Sequence, residues 1–190
     1  MNQNDRRVRR TKKILKETLA ELLLEKDLHE ITVRELTDKA DLSRGTFYAH
    51  YTDVFDLFEQ MEKDAFDEMR NIMDLDPTHV YDTLFNSLLD YVKDNEKICK
   101  LFMSQGSKSN FRDKLSVFLE ENVSKIVLYE MNATEMKDDW RFLTRYHSYA
   151  LIAVLSLWLE TGFTYPRNKL VNMIMSIDDC CDDLYEQTFE

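Results

Sequence analysis

Ser43, Arg44, Gly45, Thr46, Tyr48, Ala49 and His50 gather hydroxyls, a guanidinium, an imidazole and bare backbone into one short stretch. Groups of this kind reach phosphate oxygens and base edges in a major groove. Arg44 is the candidate for reading a base, because a guanidinium grips guanine O6 and N7 bidentately. Gly45 is a poor helix former, and near a helix start it removes a Cβ and lets another backbone come close. Other chemistries find little support. His29, His50, His79 and His147 are scattered, with no HExxH and no Cys/His cluster, so no metal is expected. No Walker loop, dinucleotide fingerprint or GxSxG elbow occurs, and 3 Gly leave little room for one. The expectation is a protein that is not an enzyme and needs no cofactor.

The flanking residues say how this stretch is held. Thr32 precedes Glu35 by the capping-box spacing, and Ile31 can staple onto Leu36. A short helix from Val33 to Ala40 follows. Ser43 then caps a second helix, where Leu42 can staple onto Phe47, and Phe47 and Tyr51 can point back into a small core. Only Asp41 and Leu42 separate the two helices, which must meet at a steep angle as a helix-turn-helix. The competing reading is a polar surface hairpin of helices.

The run T-V-R-E-L-x-x-K-A-D-L-S-R-G-T-F-Y-x-H-Y at residues 32–51 resembles the TetR family of transcriptional regulators, over about Val8 to Leu57. Two residues depart from the family pattern. Asp41 stands where Gly is usual; Asp tolerates the left-handed conformation better than most residues. Val54 stands where Lys is common, so one phosphate contact that the resemblance implies does not carry over to this position. The resemblance implies that Thr32, Arg34, Ser43, Arg44, Gly45, Thr46, Tyr48, Ala49 and His50 meet DNA. It also implies an obligate dimer, most often a repressor. Around Trp158-Leu159-Glu160-Thr161-Gly162 and Pro166 the chain is similar to a subgroup that includes the activators of dihydroxyacetone-kinase operons, whose relatives work with a partner protein.

Composition and charge agree with a nucleic-acid partner only once their distribution is considered. The 190 residues carry a net charge of −11, yet residues 1–50 hold 11 Lys/Arg against 9 Asp/Glu, leaving 14 against 27 in residues 51–190. A basic front on an acidic body orients a molecule on a polyanion and discourages indiscriminate binding. After Met1–Asp5, expected to be disordered, Arg6, Arg7, Arg9, Arg10, Lys12, Lys13 and Lys16 form a basic block on the first helix and read as a phosphate-contacting arm. With 3 Cys (Cys99, Cys180 and Cys181) and no signal-peptide pattern, reduced, mostly buried thiols in a cytosol are expected. The longest apolar run, Ala150–Leu159, is too short to span a bilayer.

Helical periodicity dominates throughout, so the fold class is all-α. The domains are expected at 1–52, a three-helix DNA-binding head, and 53–190, a helical bundle for ligand binding and dimerisation. Asp53 is placed as the cap of a long helix reaching Met73. Asp76-Pro77 opens a helix to about Asn95, Lys97–Gln105 forms a shorter one stopped by Gly106, and Asn110 starts another ending near Asn132. Gly162 ends the apolar Ala150–Leu159 helix, and Pro166 begins the last.

A helix apolar all round needs cover on more than one side. Leu151, Leu155, Leu159, Leu170, Ile174, Ile177 and Cys181 are therefore expected at a four-helix dimer interface; a central helix buried within a monomer is the alternative. Phe66, Phe102, Phe118, Tyr146 and Trp158 are expected to wall an effector site for a hydrophobic or aromatic molecule. Tyr146, His147 and Tyr149 beside Trp140 and Arg141 read as core or as a polar-aromatic pocket. Asp138-Asp139, Asp178-Asp179 and Asp182-Asp183 read as solvated faces or loop ends. The partners expected are a double-stranded operator, a second copy of the chain, and either a small-molecule effector or a partner protein.

Overall fold

The computed structural model describes residues 3–73, 80–103 and 111–186. Among them it has nine α-helices and no strand: α1 Gln3–Leu23, α2 Val33–Lys39, α3 Arg44–Tyr48, α4 Val54–Met73, α5 Val80–Asp94, α6 Glu96–Met103, α7 Phe111–Glu130, α8 Asp138–Glu160 and α9 Arg167–Glu186. None is long and apolar enough to cross a membrane. The all-α expectation holds. The starts at Asp76-Pro77 and Asn110 and the stop at Gly106 lie outside the described residues. α1 begins at Gln3, inside a stretch expected to be disordered. α8 runs back from the apolar run to Asp138, because its first half alternates buried and exposed positions around the helix instead of being apolar throughout.

The chain forms two compact units, residues 1–68 with 97–102, and residues 69–96 with 103–190. The opening residues of α4 thus belong with the first unit, whereas the sequence reading assigned them to the second domain. In the first unit Leu15, Leu19, Leu36, Phe47, Leu57 and Met61 are almost wholly buried and form the core that α1 to α4 share. Lys16, expected on the phosphate arm, turns inward and bonds Asp64 of α4. In the second unit α8 packs on α5, α7 and α9. Val127, Trp140 and Tyr185 centre a cluster there, and the Trp140 Nε1–H donates to the Tyr185 carbonyl at 3.0 Å.

Three helices end in the same way. After α2, α7 and α8 the chain turns through a left-handed residue, Asp41 (φ 53°), Asn132 (φ 48°) and Gly162 (φ 63°). In each case the next amide reaches back to close the turn: Leu42 N–H to Thr37 O, Ala133 N–H to Leu128 O, and Phe163 N–H to Trp158 O, at 2.9–3.0 Å. This is the Schellman arrangement, which satisfies carbonyls a helix end leaves without donors. At α8 its hydrophobic contact is present too: the Phe163 and Trp158 rings meet edge to face at 4.7 Å. Phe163 itself is left-handed (φ 60°).

Candidate functional site

The two caps expected around the helix-turn-helix are formed. Thr32 Oγ1 accepts from the Glu35 N–H at 3.2 Å, and Ser43 Oγ accepts from the Thr46 N–H at 3.0 Å. The Ser43 and Thr46 hydroxyls also bond each other at 2.8 Å. The reciprocal half of the Thr32 box differs from expectation, since the Glu35 carboxylate pairs with Lys26 instead. Glu30 makes that kind of contact one element earlier, accepting from the Asp27 N–H at 3.0 Å. Asp27, His29 and Glu30 bring three possible metal ligands within 4.8 Å, and the cap explains why.

On this frame α3 turns one face inward and one outward. Phe47 is fully buried, while Ser43, Arg44, Gly45, Tyr48 and Ala49 are exposed and Thr46 and His50 half-exposed. Tyr48 meets the Phe47 ring edge-on at 5.5 Å, which steadies an exposed aromatic against the core. Arg44 has no ion-pair partner among the described residues. Arg34, by contrast, lies 3.6 Å from Asp38 on its own helix, a contact that water and salt weaken easily. A Cβ added at Gly45 would meet only Ser43 Oγ, at 3.7 Å, so nothing in the protein's own packing calls for glycine there. Tyr51 faces the core as expected; burial first, then the Asp64 and Asp56 charges, push its phenol up to about 12. Val54 is buried and touches no outer surface. Arg6, Arg7, Arg9, Arg10, Lys12 and Lys13 are all exposed along α1.

The residues expected at the other two sites differ in their surroundings. Leu151, Leu155, Leu159, Leu170 and Ile174 are each buried within one copy of the chain. Leu155, at 4% exposure, is core, because the 4-and-3 spacing that connects these residues selects the stripe α8 and α9 turn toward each other and toward α5 and α7. Ile177 is exposed, and the Cys181 side chain is outside the described set. What α8 leaves uncovered is a different stripe, Phe142 (77%), Tyr146, Tyr149 and Leu157 (61%), with Met173 and Ile177 exposed on α9. Of the five expected effector-wall residues, Phe102 is buried against Phe58 at 6.1 Å in the first unit. Phe66 and Phe118 are half-buried. Trp158 is buried with its Nε1–H on the Tyr165 carbonyl at 2.9 Å. Phe66 and Phe102 belong to the first unit, and Phe118, Tyr146 and Trp158 to the second.

The second unit does hold two small cavities, of about 30 and 40 Å³, and Tyr146 borders the smaller. Both are bordered by His147, Leu151 and Asp178. His147 Nε2 lies 3.0 Å from Asp178 Oδ1. Asp178, expected on a solvated face, is only 4% exposed. The signal for this was its place four residues after Ile174 and seven before Tyr185, on the apolar stripe of α9. Cys99 is buried, which pushes its thiol up to about 12, whereas Cys180 is exposed.

A three-helix head with a capped helix-turn-helix, followed by an all-helical bundle, defines a class of DNA-binding regulators. Residues 15–61 match the profile of bacterial regulatory proteins of the tetR family, and residues 81–178, just over half of the chain, match that of a transcriptional regulator C-terminal region belonging to the same family. The chain belongs to the TetR family of transcriptional regulators. An uncharacterized HTH-type transcriptional regulator of Bacillus subtilis (strain 168), YxbF, is 40% identical over 50 residues, which is 26% of this chain and 13% of that protein. Among solved structures, a tetR-family regulator from Streptomyces coelicolor superposes with a TM-score of 0.68 at 15% identity, covering 97% of this chain and 83% of that one. The dihydroxyacetone kinase operon activator DhaS superposes at 0.63 with 22% identity, covering 93% and 98%. At these identities the likeness is one of fold.

Proposed function

We propose that the protein is a homodimeric repressor that a small-molecule effector releases from a pseudo-palindromic operator, with residues 1–52 reading DNA and 53–190 dimerising and sensing. The observation that carries this reading is the outer face of α3. Arg44, exposed and without an ion-pair partner among the described residues, sits beside a glycine whose missing Cβ serves no internal contact, and Thr32, Ser43, Thr46, Tyr48 and His50 flank them. Such a face suits close approach to a duplex, with the guanidinium on a base and the hydroxyls on phosphates. A second copy docks on the stripe from Phe142 to Leu157 together with Met173 and Ile177, because an exposed apolar stripe on two neighbouring helices is half of a four-helix interface. Effector binding in the bundle acts on DNA through α4, whose residues belong to both units.

Selection of sites from a random duplex library by the full chain tests the reading. The expected product is a two-fold symmetric site with half-sites about 34–36 Å apart. The logarithm of the binding constant should fall linearly with that of salt, by about 0.9 per phosphate neutralised. No enrichment, or a single asymmetric half-site, would overturn it.

A second reading is an activator whose C-terminal unit docks a partner protein; DhaS, which the chain resembles in fold, is by its name an operon activator. Transcription from the selected site, measured with and without the regulator, separates the two by its sign.

A further inference from the structure

The geometry points to His147 and Asp178 as the polar anchor of a small-molecule site that takes a compact apolar molecule bearing a hydrogen-bond donor, an alcohol or a protonated amine. The inference rests on the effector-responsive part of the proposed function and gives it a chemical class. Its basis is an imbalance in the core of the second unit. Asp178 Oδ1 meets the His147 imidazole, but Oδ2 of the same carboxylate is buried with no donor among the described residues. A buried carboxylate oxygen without a donor is among the costliest features a core can hold, so cores rarely retain one. Asp178 borders both cavities, and their other walls include Leu151, Val154, Ile174, Leu119 and Val127. The site thus offers a strong acceptor in mostly apolar surroundings, with Tyr185, whose hydroxyl is buried, also on the wall of the larger cavity.

The chemistry of that acceptor selects the ligand. An O–H or N–H completes the carboxylate, an ether oxygen brings no donor, and an anionic group meets like charge at close range in a poorly screened setting. Size is bounded as well. A water-sized position takes about 10–15 Å³ on this measure of volume, so about 40 Å³ admits only a few heavy atoms. Where the ligand is an alcohol, it and the imidazole share the carboxylate as hydrogen-bond partners; where it is a protonated amine, the ligand also brings the counter-charge.

The test uses the full chain with four probes of matched length: butan-1-ol, n-butylammonium, methyl propyl ether and butanoate. Binding is followed by calorimetry and by shifts of the His147 ring resonances. The alcohol or the ammonium is expected to bind at least tenfold tighter than the ether and butanoate, and whichever wins identifies the donor. Asp178→Asn lets the amide face the cavity with a donor, which the ether and the alcohol both accept, so the alcohol's advantage over the ether should be lost. Equal binding of all four probes, binding of none, or an undiminished advantage of the alcohol over the ether in Asp178→Asn would overturn the assignment. Should that variant fail to fold, the wild-type order alone decides. Operator affinity is measured separately: a probe that binds with the expected order but leaves DNA binding unchanged establishes the site and removes its effector role.

Discussion

The helix-turn-helix of the first unit and the α8–α9 seam of the second use polar groups in opposite ways. In the first, the hydroxyls that shape α2 and α3 are used within three or four residues of themselves: Thr32 on Glu35, Ser43 on Thr46, and Thr37 on the carbonyls of Val33 and Arg34. In the second, the contact that matters most joins two helices, His147 on α8 and Asp178 on α9, and leaves one oxygen unserved. A surface set by local bonds has its shape before anything touches it. A buried pair set by helix packing depends on what fills the space beside it. Substitutions on α3 should therefore change binding with little effect on stability, and substitutions inside the bundle should do the reverse.

The largest effect that could break this contrast is on α8. Leu155→Glu places an unpaired charge in the core and should cost on the order of 3–5 kcal/mol in denaturant unfolding. Leu157→Glu, two positions on, lies on the exposed stripe and should leave folding of a single copy within about 0.5 kcal/mol while dissociating the dimer in sedimentation at micromolar concentration. If the two variants behave alike, the assignment of the two faces is wrong. Next in size is Arg44→Ala, which should weaken operator binding by about 1–3 kcal/mol and relax selectivity at one base position. Equal weakening across all duplexes would restrict Arg44 to the backbone.

Gly45→Ala sharpens the contrast within one residue. With nothing closer than 3.7 Å, the new methyl fits the folded chain, and the variant should be more stable by about 0.4–1 kcal/mol in thermal unfolding. It should nonetheless bind its operator less tightly, because the methyl occupies the space a duplex would need. A variant that gains in both would remove Gly45 from the interface.

The smallest effect concerns acid. The hydrogen bond from Lys97, followed by the Lys97 and Lys39 charges and opposed by burial, holds the Glu21 carboxyl below its ordinary value of 4.5. A carboxyl lowered in the folded state contributes stability above its ordinary range and loses it as pH falls through the folded value. Lys97→Met should flatten the acid limb of the stability curve slightly, since the pair is solvent-exposed. A steeper limb in the variant would refute this origin.

How much could be read in advance follows from the same contrast. The caps at Thr32 and Ser43, the inward Phe47 and Tyr51 and the turn at Asp41 are local features, and spacing revealed them. Lys16 was misplaced because its partner Asp64 lies 48 residues on, a distance no periodicity reports. Leu155 and Leu157 were not told apart by hydropathy, for both are leucines on an apolar helix and only packing decides which is covered. Asp178 looked like solvent chemistry because acids usually are; its register with Ile174 and Tyr185 was the contrary signal. For the expected effector wall, helical spacing could not tell a core aromatic such as Phe102 or Trp158 from an exposed one such as Tyr146.

Asp41 has a consequence measured in time. An L-residue at φ 53° is less favourable there than glycine, by on the order of 1 kcal/mol, so this turn opens about five times more often than a glycine turn would. The Leu42 amide, bonded to the Thr37 carbonyl at 3.0 Å, is the clock for that opening in hydrogen exchange. Asp41→Gly should slow exchange of that amide by about the same factor while the caps at Thr32 and Ser43 hold the helices on either side.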